Sequence, residues 1–429
     1  MDKLDSVEQL EKAAMARLDS GDFAGALRDF RALLVRDSSN AIALQFLGFE
    51  ASQRQDHAAS IDFYQRAASA HPGSETCFNL ALALFGQARF AESLAALDIA
   101  IEHDAGFLAA LLYRGTVLEQ MGKTDDAARA FLRAVRVAGS VPDQNNIPAD
   151  LRQYLNYAMG VVRVYLGAQI SRSLADLVAE HGEASVARLR KAGEMFAGLR
   201  PLEYGHPLWR PGLFLVPDLP VRTFFEREEF AWTERVEAAT DMVRAELLAL
   251  MQDGEGFTPY VNHAEGTHEA LVFKDINRSD NWTSFHFFRH GQRIEENCAR
   301  CPGTAALLDS LDLQRVPGYG PEVMFSVLRP HSKIPAHYGA VNGRLVVHLP
   351  LIVPANCGAL AVTKEARGWE EGKLLIFDDT FEHEAWNDSD QTRVVLIFDT
   401  WNPYLSAVER EAFIRVLTTA QNFERDAIA

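Results

Sequence analysis

Pro335-Ala336-His337-Tyr338-Gly339 and, further along, Phe377-Asp378-Asp379-Thr380-Phe381-Glu382-His383-Glu384-Ala385-Trp386 decide how the second half of this chain reads. His337 and His383 each stand at the edge of an apolar, strand-like run, and Arg393 opens the next such run. Between the two blocks lie Asn342-Gly343-Arg344 and His348-Leu349-Pro350-Leu351. The pattern suggests a metal held inside a β-barrel, with a cation placed for an anionic cosubstrate. Imidazole suits divalent iron, and two histidines on facing strands leave several coordination positions open. A carboxylate two residues after the first histidine is the usual third ligand, but that position is Gly339, which cannot ligate. Water or another exogenous ligand, halide included, then takes the place. Arg393 follows His383 by ten residues, so one turn and the start of a strand bring its guanidinium back over the barrel interior. A buried arginine needs an anion, and its planar fork suits a carboxylate.

Working outward, short β-prone runs recur at 212–217, 271–273, 284–288, 323–328, 345–353, 359–362, 374–377 and 393–398. Many strands of this length separated by turn residues predict a two-sheet jelly roll. A longer helix is expected over 230–251 and another over 406–419.

The first third has a different period. Gly21-Asp22-Phe23-Ala24-Gly25-Ala26-Leu27 is echoed at Gln55-Asp56-His57-Ala58-Ala59-Ser60-Ile61, at Ala88-Arg89-Phe90-Ala91-Glu92-Ser93-Leu94 and at Lys123-Thr124-Asp125-Asp126-Ala127-Ala128, at steps of 34, 33 and 34 residues. Phe30, Tyr64, Leu97 and Phe131 follow in step. Such a period marks stacked helix pairs that bury their apolar faces only against neighbours. The spacing resembles about four tetratricopeptide repeats over residues 5–138, an α-solenoid whose groove docks a peptide or partner, or serves as a scaffold. The polar, Pro-containing stretch 139–148 breaks the pattern, and helical periodicity resumes at 151–166 and 170–196. The expected domains are therefore 1–138 (repeats), 139–205 (helical linker) and 206–429 (strand-rich).

Composition narrows the function. A formal charge of −17 argues against a nucleic-acid partner, because neutralising phosphates needs a basic face. Residues 1–11 lack the basic-then-apolar order of a signal peptide, and no apolar run reaches the roughly 20 residues of a membrane span. A cytoplasmic protein with no membrane partner is expected. Cys77, Cys298, Cys301 and Cys357 are too few and scattered for a disulfide scaffold, and the lone Cys298-x-x-Cys301 has no second pair for zinc.

Residues 282–405 resemble the catalytic domain of the aspartyl/asparaginyl β-hydroxylases. The resemblance rests on the Pro-x-His-x-Gly block, Asn342-x-Arg344 with His348, Trp369-Glu370-Glu371-Gly372-Lys373, the block ending in Trp386, and Asp399-Thr400-Trp401-Asn402-Pro403. The family implies an Fe(II)- and 2-oxoglutarate-dependent dioxygenase on a cupin-like double-stranded β-helix, and its members can carry such repeats in front. Matched residue by residue, the resemblance implies iron on His337 and His383. It puts the distal carboxylate of 2-oxoglutarate on Arg393 and Ser326, His348 near the chelating end, and Trp282 in the cosubstrate pocket. Asp378 and Glu384 flank the second ligand as candidates for orienting its ring. The implied reaction uses O2 to hydroxylate an Asp, Asn or similar side chain in a peptide or protein. Alternatives are a free or carrier-bound amino acid, or a repeat protein whose barrel has lost catalysis. A second arginine that animal members carry two residues after Arg344 is here Val346, which leaves Arg344 and Arg278 as the candidate cations for substrate.

Overall fold

The computed structural model describes residues 2–428 and divides into two compact units, one reaching to Tyr165 and including the end of the last helix from Phe423, the other Leu166–Asn422. The first unit is a run of helix pairs: Asp2–Asp19 with Phe23–Arg36, Ala41–Gln53 with His57–Ala70, Ser74–Phe85 with Phe90–His103, and Leu108–Gln120 with Thr124–Gly139. These are tetratricopeptide-like repeats, in register with the period read from the sequence. Helix starts are set locally. Asp22, Asn40 and Asp56 each accept the backbone N–H three residues on, at 2.9, 3.0 and 3.2 Å, satisfying donors that the first helical turn leaves unpaired.

Two of the pairs close where a glycine faces an aromatic ring. A Cβ added at Gly48 would lie 3.0 Å from the Tyr64 ring, and one added at Gly115 only 2.4 Å from Phe131, which is fully buried. Ser60 ties the first of these crossings by donating to the Gly48 carbonyl (2.9 Å), and Ser93 ties the pair Ser74–Phe85 with Phe90–His103 in the same way, through the Ala81 carbonyl (2.8 Å). Gly115→Val therefore forces Phe131 out of its site, at a cost of about 1–3 kcal/mol of overpacking strain. Urea unfolding of the full chain should show the repeat transition moved to lower denaturant, and an unchanged transition would refute this packing argument.

The second unit contains strands β1 (Phe224–Phe225), β2 (Thr258–Pro259), β3 (Trp282–Arg289), β4 (Gln292–Arg293), β5 (Val323–Leu328), β6 (Ser332–His337), β7 (Arg344–Ile352), β8 (Leu360–Val362), β9 (Glu365–Arg367), β10 (Leu375–Phe377), β11 (His383–Asn387) and β12 (Arg393–Trp401). All pair antiparallel. The larger sheet has the order β1-β10-β7-β12-β5-β3-β2 with β4 beside β3, and the smaller has β6-β11-β8-β9. This is a two-sheet jelly roll.

Alternation along the strands sorts side chains onto two faces. On the large sheet Phe285, Phe325, Val347, Leu349, Leu396 and Phe398 pack with Val243, Leu247 and Leu250 of the helix Thr240–Asp253. The intervening residues, among them Trp282, Leu328, Val346 and Val395, share a second cluster with Ile334, Leu360, Val362 and Ala385 of the small sheet. That second face is where polar residues are spent.

Some expectations change. Residues 271–273 are not a strand: the helix His268–Val272 occupies the place, and Leu271 is 68% exposed, so a three-residue apolar run had no core to enter. The expected 230–251 helix is two, Thr233–Ala238 and Thr240–Asp253. Helical structure over 170–196 is interrupted at Gly182, whose φ of 81° no regular helix allows. Residues 212–217 form no regular strand. They belong to an irregular strap in which Arg210, Gly212 and Leu213 donate backbone N–H groups to the carbonyls of Thr380, Gly339 and Ala340 at 2.8–2.9 Å, with Trp209 and Phe214 bridged to Phe381 and Val341.

Candidate active site

His337 is the last residue of β6 and His383 the first of β11, and the register pairs them directly. Their ring centroids are 4.1 Å apart. Each ring is fixed by the same local device: Nδ1 donates to the carbonyl two residues back, Pro335 at 2.8 Å and Phe381 at 3.0 Å. A carbonyl only accepts, so Nδ1 carries the proton and Nε2 keeps its lone pair. Burial first, and the neighbouring His383 next, push the His337 imidazole down to about 4, and burial lowers His383 too. Both rings are neutral at pH 7, which is the form that binds a metal.

The glycine after His337 has a specific neighbour. A Cβ at Gly339 would fall 2.1 Å from the Asp379 carboxylate carbon, and Gly339 N–H donates to the Asp379 carbonyl at 2.6 Å. The Asp379 side chain, from the β10–β11 connection, thus fills the space that a side chain at Gly339 would need. Among the described residues no group of three or more His, Cys, Asp or Glu side chains forms a ready metal cage, and the histidine pair is the candidate donor set. Two neutral imidazoles with bare Nε2 atoms fit a divalent iron completed by exogenous oxygen ligands.

Arg393 begins β12, opposite Leu328. It is 1% exposed, its guanidinium lies 4.6 Å from the Trp369 ring centre, and Nε and Nη1 are buried without a hydrogen-bond partner. Burial pushes it down to about 10, and no carboxylate pairs with it among the described residues. A buried cation with two idle donors is an anion site. Around it Trp369 donates Nε1–H to His348 Nδ1 (3.2 Å), so the opposite nitrogen of His348 is left carrying the proton. Burial, then Arg393, hold His348 well below its usual value. Trp282 donates to Ser326 Oγ at 3.0 Å, which leaves the serine hydroxyl proton free to donate. The fold therefore brings His337, His383, His348, Arg393, Ser326 and Trp282 to one inter-sheet interior.

Two other candidate residues have different surroundings. Arg344 donates to Asp379 Oδ2 and Asp399 Oδ2, both at 2.8 Å, and is a buried clamp between them. Arg278 is exposed, its Nε donating to Asn262 at 2.8 Å. Nor do Asp378 and Glu384 orient the His383 ring. Asp378 accepts from Trp209 and Thr380, with burial raising it to about 7, and Glu384 pairs with Lys333 at 2.9 Å. Asp379, Asp399, Glu322, Tyr260 and His286 were not anticipated. Asp379 stood in a quoted block, four residues before His383, but its contact with Gly339 is tertiary.

His286 gives a pH-dependent prediction. Burial chiefly holds it at about 4, below its ordinary 6.5. A depressed histidine contributes stability that is present above the unfolded value and lost as pH falls through the folded one, here from 6.5 towards 4. Between pH 7 and pH 5 its share of the loss is about 2 kcal/mol. His286→Gln should therefore lose about that much less than the parent over the same interval, as read by urea unfolding at the two pH values. Equal losses would show that His286 charges freely in the fold.

Residues 237–403 match the family described as aspartyl/asparaginyl beta-hydroxylase, and residues 11–75 and 78–144 match the tetratricopeptide repeat. The chain is 30% identical over 209 residues to the aspartyl/asparaginyl beta-hydroxylase of Homo sapiens, an alignment covering 48% of this chain and 26% of that one. It is 35% identical over 184 residues to the ornithine lipid ester-linked acyl 2-hydroxylase of Rhizobium tropici, covering 42% and 61%. The chain thus spans about a quarter of the human relative and three-fifths of the bacterial one. A crystal structure of MamA protein matches with 20% identity and a TM-score of 0.29, over 36% of this chain and 91% of that one. No helix among the described residues is long and apolar enough to cross a membrane.

Proposed function

We propose that this chain is a hydroxylase, an Fe(II)- and 2-oxoglutarate-dependent dioxygenase acting on a side chain in a peptide or protein docked by its repeats, a reading supported by the match of residues 237–403 to the aspartyl/asparaginyl beta-hydroxylase family and of residues 11–75 and 78–144 to the tetratricopeptide repeat. The observation that carries this reading is the buried Arg393, with Nε and Nη1 lacking hydrogen-bond partners, in the same interior as two neutral histidines whose Nδ1 atoms are held by backbone carbonyls. When bound, iron and 2-oxoglutarate supply the oxidising power, turning O2 and the oxo acid into succinate, carbon dioxide and one oxygen atom inserted into a C–H bond.

The chain's own residues do the rest. His337 and His383 would hold the metal, their rings locked by the Pro335 and Phe381 carbonyls. Arg393 and Ser326 donate to the far carboxylate, and His348 offers an N–H towards the chelating end. Trp282 and Phe377 keep water from the dicarboxylate, Phe377 lying against both His348 (5.2 Å) and His383 (5.5 Å). The Asp379 carboxylate beside Gly339 would disfavour a halide on a metal held by the two histidines, which supports hydroxylation over halogenation. At the repeats, edge-on contacts run from Phe78 to Tyr113 (5.5 Å) and on to Tyr154 (5.7 Å), one ring each from the helices Ser74–Phe85, Leu108–Gln120 and Ala149–Ser173, and these half-buried aromatics support peptide docking.

The test is succinate release by the full chain with Fe(II), ascorbate and 2-oxoglutarate, first without and then with cell extract, followed by mass spectrometry for a gain of one oxygen. Failure to convert 2-oxoglutarate under any of these conditions rejects the reading. Hydroxylation of an acyl chain is a second reading, favoured by the 35% identity to the Rhizobium relative. Oxygen gained on lipid and not on peptide would select it.

A further inference from the structure

The barrel end occupied by Arg344 differs sharply in charge from the Arg393 end. Arg344 spends Nη2 on Asp379 and Nη1 on Asp399, so its charge is answered twice. The next residue of β7 with the same facing, Val346, sits opposite Asp399 in the register and brings no cation. Glu322, just before β5, adds a third carboxylate: its backbone N–H donates to Asp399 Oδ2 at 2.8 Å. Its Oε1 faces the backbone N–H and ring of His290 at the β3–β4 turn, while Oε2 lies 3.7 Å from His286 Nδ1.

Three buried polar atoms here lack a hydrogen-bond partner: Asp379 Oδ1, on a side chain 7% exposed, His286 Nδ1, on one 8% exposed, and Nε of Arg344, whose charge Asp379 and Asp399 already answer. Tyr260 lies over Trp282 (ring centres 4.3 Å) and stacks on His286 (6.0 Å), and its phenol senses the charges of Glu322, Arg344, Asp399 and Asp379. Burial raises both Glu322 and Asp399, a desolvation penalty that an arriving positive charge offsets. An idle carboxylate oxygen beside aromatic faces attracts a cation and repels a carboxylate.

Building on the hydroxylase reading, we propose that the substrate presents a cationic side chain, of the lysine or arginine kind, to Glu322, Asp379 and the Tyr260–Trp282 pair. Arg344 does not receive a substrate carboxylate; it holds the acidic wall in place.

The test uses the full chain loaded with Fe(II) and 2-oxoglutarate and two decapeptides identical except for a central Lys or Asp, with free L-lysine as a third probe. Binding is measured by calorimetry under argon and turnover by succinate release in air. The Lys peptide should bind at least tenfold more tightly than the Asp peptide and raise succinate release at least fivefold over the peptide-free rate. Free lysine acting as well as the peptide would make the cation a free amino acid. Glu322→Gln should weaken Lys-peptide binding at least tenfold, and Tyr260→Leu, a second variant with the acids intact, at least fivefold. Equal or tighter binding of the Asp peptide, or a Lys-peptide affinity that both variants leave unchanged, overturns the proposal. Succinate formed without peptide reports on the hydroxylase reading separately, and the calorimetry decides the cation preference even if that rate is zero.

Discussion

Arg393→Met should raise the 2-oxoglutarate concentration for half-maximal turnover roughly 10- to 150-fold while leaving iron bound, and should make the ligand-free chain more stable than its parent. The first effect follows from losing charge-assisted contacts worth about 1.5–3 kcal/mol. The second has the opposite sign because Arg393 is buried with Nε and Nη1 unpaired. Its pKa is depressed to about 10 from an ordinary 12.5, so the fold disfavours the charged form at every pH below that value. The penalty is on the order of 3 kcal/mol at pH 7, and methionine, of similar reach and uncharged, removes it. Thermal melting with and without 2-oxoglutarate reads both effects: the variant starts higher and does not respond to the cosubstrate. A variant that melts lower and still responds would show that the anion is held elsewhere.

His383→Ala should raise the iron concentration needed for half-saturation at least tenfold, and combining it with His337→Ala should abolish stoichiometric iron binding. Loss of an outer hydrogen bond to a ligand alone typically costs 10- to 100-fold in metal affinity, and here a ligand goes. With only two protein donors, no remaining side chain among the described residues completes a cage. Iron content after gel filtration, measured with no substrate present, checks this independently of turnover. Undiminished iron in the double variant would remove the histidine pair from the mechanism.

The repeats were legible because a period of about 34 residues survives in sequence, and the Gly115–Phe131 crossing explains why it must. The strands β3, β5, β7 and β12 were legible because each is buried on both faces and reads as a long apolar run. β6 was not: Lys333 and Pro335 interrupt it, and it belongs to the smaller sheet, where one side faces solvent. The two histidines and Arg393 were marked by position at strand edges, and the structure gathers them. The partners of Arg344 lie 35 and 55 residues away, and such pairings leave no local trace. Asp378 stands out in sequence for proximity to His383, yet it is Asp379, in the turn after β10, that meets Gly339 and Arg344, while Asp378 is taken up by Trp209 and Thr380.

The strap around Trp209 bears on where catalytic competence begins along the chain. Its backbone bonds reach Gly339 and Ala340, just beyond one histidine, and Thr380, just ahead of the other. The indole of Trp209 holds Asp378 at 3.0 Å, and the whole strap precedes residue 237, where the family match starts. The segment that matches the family is therefore not a self-sufficient cassette. Grafted or expressed from residue 237, it would keep every proposed ligand and lose the backbone brace that ties the segment after His337 to the one before His383, so the stretch that must fold together is longer than the stretch that is recognised.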